Sequence, residues 1–163
     1  MNIVVKISTN GYIPIIPILA WNMLFVSKLP SAFDPKSFNS SIPFLIIIGE
    51  NLFRVIIFVL PLFFRINIST SIGKTGFSVF IFGALIYFSS WMLLIFFPDS
   101  TLSASLLGFT APAYTPLIWL IGLSLMVDSY YFKFPYSKWH YILPSIMFSF
   151  FHIYHTVYVY DRI

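Results

Sequence analysis

Long apolar segments separated by short polar breaks constrain the fold of this chain more than any other feature. Hydrophobic residues make up 59% of the sequence and charged residues only 9%. A soluble domain carries about 25% charged residues, so this chain has too few charges to cover a surface that faces water. Because one spanning helix needs about 20 residues, the 163 residues accommodate about four or five spans and no separate soluble domain.

The apolar segments predict an all-α fold, in which residues 1–163 form a single polytopic bundle of about five transmembrane helices. Proline opens the second segment, where a helix tolerates it in its first turn. Polar breaks that contain proline and serine separate the segments. The predicted spans are residues 13–26, 43–64, 77–97, 115–127 and 139–160.

Residues 99–114 fit neither a plain loop nor a span, and they could form a re-entrant segment. Pro112 and Pro116 lie at the boundary with the fourth span. They predict either a broken helix whose free backbone groups meet a ligand, as in transporters, or an ordinary helix start. Both interpretations stay open at this point.

Lysine and arginine are scattered singly along the sequence, so no basic patch for binding nucleic acid is expected. The expected partners are the lipid bilayer and a small-molecule ligand or lipid. The absence of cysteine excludes disulfides and thiolate chemistry. The positive-inside rule favours an integral protein of a bacterial cytoplasmic membrane with its N-terminus inside and its C-terminus outside. With five spans, the inner side holds Lys6, Arg65, Lys74, Lys133 and Lys138, and the outer side holds Lys28, Lys36 and Arg162.

Three polar residues, Glu50, Asn51 and Arg54, interrupt the second apolar segment. Glu50 and Arg54 are four positions apart and share one helix face. A charge near the bilayer centre costs about 2.5–3.5 kcal/mol on insertion scales, and pairing reduces that cost. The pair could serve only to lock helix packing. Because a buried ion pair adds little net stability, we interpret it instead as part of a functional site.

Other polar residues are predicted to lie at the depth of Glu50. Glu50 is seven positions inside its span, or roughly 10 Å below the outer surface. His152 and His155 lie roughly 12 and 8 Å below that surface. The other spans contribute Ser89, Ser90 and Thr115 at a similar depth, together with the ligand-binding candidates. These residues together predict a polar pocket in the outer half of the bilayer. The predicted ligand-binding residues are Asn22, Asn51, Trp91, Tyr114 and Trp119.

A stripe of polar residues follows one face of the fifth span. A polar stripe on a spanning helix is expected to face the bundle or water. Its serine and threonine hydroxyls are explained by hydrogen bonds between helices, worth about 0.6 kcal/mol each. The two histidines together instead indicate a functional site. The stripe consists of Tyr141, Ser145, Ser149, His152 and Thr156.

The predicted catalytic residues are Glu50, Arg54, His152 and His155. His152 and His155 are three positions apart, so their imidazoles can reach one point. With Glu50 they could hold a divalent metal as a site of two histidines and one carboxylate. Without metal, the same groups could carry out acid–base chemistry, since histidine titrates near neutrality. Arg54 favours the ionised form of Glu50.

Three functions are compatible with these features. The leading hypothesis is a multi-pass membrane protein that binds or transports a small polar or amphiphilic ligand in a pocket of the outer half of the bilayer. The second is a small intramembrane enzyme, acid–base or metal-assisted, that uses Glu50 with His152 and His155. The third is a structural or accessory membrane subunit in which the polar residues serve only packing.

Overall fold

A computed structural model of the protein describes residues 9–162, so Lys6, which contributes to the predicted orientation, lies outside the described residues. Short 3₁₀ helices cover Val26–Lys28, Ser31–Phe33 and Leu60–Phe63. The α-helices are α1 (Ile15–Phe25), α2 (Pro35–Phe38), α3 (Phe44–Val59), α4 (Ser71–Phe96), α5 (Leu106–Phe109), α6 (Ala111–Tyr114), α7 (Pro116–Met126) and α8 (Trp139–Tyr160).

Within residues 9–162, three helices are long and apolar enough to cross a membrane. They are Phe44–Phe63, in which a 3₁₀ turn extends α3, and the whole of α4 and α8. The helical fold class is therefore confirmed, and the three helices are consistent with a membrane protein; they correspond to the second, third and fifth predicted spans. The apolar helices Ile15–Lys28 and Ala111–Met126 are shorter. At about 1.5 Å per residue, they fall short of a hydrocarbon core of about 30 Å, so the count of five spans stays a prediction.

Helix α4 begins at Ser71, earlier than the predicted start at residue 77. The side chain of Thr70 caps it by accepting a hydrogen bond from the Gly73 amide at 3.0 Å. Glycine is required at this turn, because a Cβ on Gly73 would lie 1.9 Å from the carbonyl oxygen of Asn67. The polar residues that predict a loop thus form a capped helix start.

Residues 99–114 end in two short helices, α5 and α6, that lead directly into α7. The Ser105 hydroxyl caps α5 by accepting from the Gly108 amide at 3.2 Å. Thr115 between α6 and α7 has helical backbone angles (φ −62°, ψ −29°). The chain therefore stays helical there, although Pro116 lacks an N–H and leaves the Pro112 carbonyl without its usual helical donor.

Two short antiparallel strands, β1 (Phe64–Ile66) and β2 (Val127–Tyr130), differ from the predicted all-α fold. They follow the ends of the α3 and α7 segments, and an isolated bridge joins Asn10 to Arg65. A two-stranded pair is marginal alone, but the buried ring of Phe64 packs here against aromatic neighbours. Burial raises the pKa of neighbouring Tyr136 to about 12, so its hydroxyl stays protonated and donates to the Ser124 carbonyl at 3.1 Å.

The helices pack as two close pairs, α4 with α7 and α3 with α8. In the first pair, a Cβ on Gly83 would lie 2.5 Å from the Trp119 amide nitrogen, and a Cβ on Gly122 would lie 2.4 Å from that of Phe80. Small residues of this kind let the backbones of membrane helices approach closely. In the second pair, the Tyr141 hydroxyl donates to the Ile57 carbonyl at 2.9 Å.

Replacing Gly122 by valine is expected to destabilise the bundle by about 1–3 kcal/mol, because the new side chain must push α4 and α7 apart. Thermal unfolding of the protein in a maltoside detergent measures this as a lower Tm. Leu85→Val, on the exposed side of α4, is the control and should leave Tm nearly unchanged. An unchanged Tm for Gly122→Val would contradict the close approach of the two helices.

Candidate functional site

Glu50 lies at the centre of a polar cluster between α3 and α8, where only 2% of its side chain is exposed. The helical spacing on α3 places Arg54 one turn further on, and that on α8 places His152 and His155 on adjacent turns. Gly49 lets the two helices approach, since a Cβ there would lie 2.5 Å from the Phe151 ring.

Both oxygens of the Glu50 carboxylate are bound by basic side chains. Oε1 accepts from Nη2 of Arg54 and lies 3.0 Å from Nδ1 of His152. Oε2 lies 2.5 Å from Nδ1 of His155. Arg54 also donates through Nη1 to Oδ1 of Asn51, at 3.3 Å. The structure therefore brings the four predicted catalytic residues into one cluster.

The hydrogen-bond network indicates which ring nitrogens carry protons. Nε2 of His155 lies 3.0 Å from the Phe38 carbonyl, which can only accept, so this nitrogen is protonated. A second proton must lie between Nδ1 of His155 and Oε2 of Glu50. Nδ1 of His152 donates to Oε1, which leaves Nε2 of a neutral His152 as an acceptor. In the described part of the chain, no side chain or backbone group is hydrogen-bonded to this Nε2.

Phe38 closes the cluster from the segment before α3, and sequence reasoning missed it. Its ring stacks on His155 with 4.3 Å between centroids. Asp34 caps the short helix α2 by accepting from the Lys36 amide, and Arg162 donates to the backbone and side chain of Ser40. The sequence signal for Phe38 is weak: it is one of two phenylalanines in a break that is otherwise mostly polar or proline.

Two cavities flank the cluster. The first has a volume of about 160 Å³ and mainly apolar walls, with His152, Thr156, Tyr87 and Trp91 among its lining residues. The second has a volume of about 90 Å³ and is lined by Glu50, Asn51, Arg54 and His155, among others. Phe38 lines both cavities. The cluster thus lies between an apolar compartment and a polar one.

The structure brings only some of the predicted ligand-binding residues to the cavities. Trp91 lines the apolar cavity and Asn51 the polar one, and Asn22 accepts from the Tyr87 hydroxyl at 2.6 Å. Tyr114 donates to the Leu107 carbonyl, and Trp119 packs against Phe80. In the described chain, neither Tyr114 nor Trp119 is among the lining residues of the two cavities.

The serine and threonine hydroxyls of the polar stripe on α8 do not join helices as expected, whereas the Tyr141 hydroxyl does, by donating to the Ile57 carbonyl of α3. Ser145 donates to the Tyr141 carbonyl at 2.7 Å and Thr156 to the His152 carbonyl at 2.8 Å, both within α8. Serine and threonine in helices satisfy themselves this way because the carbonyl four residues earlier is within reach. The Ser149 hydroxyl is buried and has no partner among the residues that the structure describes.

The metal hypothesis for Glu50, His152 and His155 stays a prediction. The three side chains meet, but no group of three or more histidine, cysteine, aspartate or glutamate residues within 9–162 has an arrangement that could hold a metal ion. Without a metal or ligand, the cluster can hold His152 in one orientation and share a proton between Glu50 and His155.

Glu50→Ala is expected to lower stability by up to about 3 kcal/mol, because Arg54 and two histidines lose their acceptor. This is the lower end for breaking a buried pair, since Arg54 is partly exposed. The double variant Glu50→Leu/Arg54→Leu removes both charges and should recover much of the loss. Thermal unfolding in one detergent compares the two. Equal Tm values for the single and double variants would show that charge compensation does not stabilise the cluster.

Comparison of the chain with protein-family models, with curated proteins and with solved structures finds no match. The function is therefore inferred from the site itself. Its defining feature is a buried carboxylate that binds three basic side chains and lies between two cavities of different polarity.

Proposed function

We propose that this membrane protein binds a small amphiphilic ligand, whose apolar part occupies the apolar cavity and whose polar group bonds to Nε2 of His152. One observation carries the proposal: Glu50 holds Nδ1 of His152, and the same ring lines an apolar cavity. Ligand sites of this kind combine mostly apolar walls with a few polar groups that fix orientation.

The polar atoms of the cavity select the chemistry of the ligand. The Thr156 hydroxyl already donates to the His152 carbonyl, and the Tyr87 hydroxyl donates to Asn22. Their oxygens, like Nε2 of His152, can therefore still accept. A cavity that offers mainly acceptors favours a ligand group that donates, such as a hydroxyl or an amine.

The position of the cavity supports access from the membrane. Val26 lines it at the end of α1, and the preceding residues Met23 and Leu24 are 78% and 68% exposed. Exposed apolar side chains on a membrane helix indicate a surface that faces hydrocarbon. A volume of about 160 Å³ is below the 300–1,000 Å³ of pockets for drug-sized ligands. It suits the apolar part of a small amphiphile or a short portion of a longer chain.

The proposed topology has five spans, with the N-terminus inside and the C-terminus outside a bacterial cytoplasmic membrane. It rests on the two shorter apolar helices crossing with the three long ones and on the distribution of lysine and arginine. The site then lies in the outer half of the bilayer. Whether the protein releases its ligand on the other side distinguishes a transporter from a binding protein.

A small intramembrane enzyme is the second candidate, and the Glu50–His152 contact favours it. A carboxylate that orients an imidazole through Nδ1 leaves Nε2 as a general base, as in other acid–base sites. Recovery of a chemically altered ligand supports the enzyme, and recovery of the unchanged ligand supports binding or transport.

His152→Ala is expected to weaken binding of a brominated dodecanol about 2–10-fold, the effect of one lost hydrogen bond. Because bromine quenches indole fluorescence and Trp91 lines the cavity, the quenching of protein fluorescence measures the Kd. The matched control is His140→Ala, since His140 contacts Tyr130 instead. Trp91→Phe should remove most of the signal.

Unaltered quenching in both His152→Ala and Trp91→Phe would place the alcohol elsewhere and reject the proposal. If the protein nevertheless keeps its cellular role in the Glu50→Leu/Arg54→Leu variant, the structural or accessory function is the one supported.

A further inference from the structure

Arg54 is placed where a charge is costly. It lies within a membrane-spanning helix, and 44% of its side chain is exposed. Its neighbours Leu52 and Val55 are exposed apolar residues, which belong against hydrocarbon. A charged group at such a depth is normally paired or faces a water-filled space. The Glu50 carboxylate covers only one side of the guanidinium.

The polar cavity beside Arg54 has a surplus of hydrogen-bond donors. Arg54 has five N–H donors, and in the described part of the chain two of its nitrogens have acceptors, Glu50 and Asn51. The amide nitrogen of Asn51 has no acceptor among the described residues. The Glu50 oxygens, in contrast, already receive three contacts from basic groups, of about four that a carboxylate can accept.

The charge near this cavity also favours an anion. Glu50 and Arg54 compensate one another, and a second guanidinium, that of Arg162, contacts Ser40 next to the cavity-lining residue Asn39. A cation would meet a carboxylate whose acceptor sites are largely taken. An anion would meet free donors from Arg54 and Asn51.

We propose that the polar cavity binds the phosphate group of an amphiphilic ligand, held by Arg54 and Asn51. The planar fork of arginine matches phosphate oxygens, which accept several hydrogen bonds at once. The cavity of about 90 Å³ exceeds several-fold the space that one water molecule needs. This inference rests on the proposed function and specifies its ligand as an alkyl phosphate.

The two compartments adjoin at the cluster. Arg54 and His152 contact the same oxygen of Glu50. Phe38 lines both cavities. A phosphate at Arg54 therefore places the adjacent carbon atoms of the ligand near Phe38, the lining residue that the two cavities share.

The test compares three probes on the full chain in a maltoside detergent, which contains no phosphate: dodecyl phosphate, dodecanol and inorganic phosphate. Titration calorimetry gives a Kd for each. Dodecyl phosphate is expected to bind at least tenfold tighter than dodecanol. Asn51→Leu and Arg54→Lys should each reduce this preference severalfold, because they weaken the binding of dodecyl phosphate more than that of dodecanol. Arg54→Lys keeps the charge next to Glu50, so the protein is expected to fold.

Arg65→Gln is the matched control, because Arg65 is an exposed arginine on β1, away from the cavity, and its loss should not alter the preference. Equal Kd values for dodecyl phosphate and dodecanol would overturn the inference, as would a preference that survives in both Asn51→Leu and Arg54→Lys. Inorganic phosphate that binds as tightly as dodecyl phosphate, with the same dependence on Arg54, identifies free phosphate as the source.

The outcomes also separate this inference from the proposed function. Dodecanol binding that depends on His152, with no gain from phosphate, supports the apolar site and removes the phosphate site. Binding of both phosphate probes through Arg54, without any dodecanol binding, supports the phosphate site and removes the proposal for the apolar cavity.

Discussion

The rest of the site depends on how the negative charge of one buried carboxylate, that of Glu50, is compensated. Glu50 is almost completely buried in a helix that is otherwise apolar, and an isolated ionised carboxylate there would be strongly unfavourable. Three basic side chains approach it, one from its own helix and two from α8. The pairing of α3 with α8 is therefore an electrostatic requirement as well as a packing preference.

This requirement extends into neighbouring segments. Helix α8 can approach α3 closely because Gly49 has no side chain. His155 needs an acceptor for its second N–H, and the Phe38 carbonyl supplies it. The break before α3 is thereby folded over the cluster and held by the contact of Arg162 with Ser40. The same Phe38 separates the apolar cavity from the polar one, so the compensation of one charge also shapes the two compartments.

The second helix pair serves a different purpose. Gly83 and Gly122 bring the backbones of α4 and α7 close together, as expected where lipid provides no hydrophobic force between helices. Tyr87 and Trp91 on α4 then form one wall of the apolar cavity opposite His152 and Thr156 of α8. One helix of each pair, α4 and α8, thus contributes lining residues to the cavity in which the proposed ligand binds.

The sequence by itself determined the apolar helices and the local pairs within them. Glu50 with Arg54, and His152 with His155, follow from helical spacing, because residues three or four apart share a face. The common depth that an order of five spans assigns to these residues stays a prediction, as does the number of spans. The helix start at Thr70 and the strands β1 and β2 did not follow from the sequence. The cap depends on the local backbone geometry that brings the Gly73 amide to the Thr70 side chain. The pairing of the two strands depends on which helix ends meet.

Only the tertiary structure decided the contribution of Phe38, the orientation of His152 toward a cavity and the surplus of donors around Arg54. These features arise between residues far apart in the chain, such as the 117 positions from Phe38 to His155. Sequence periodicity reports which face of a helix a residue occupies. It contains no information on which distant carbonyl, ring or amide that face will meet, since those contacts are selected by the packing of the whole bundle.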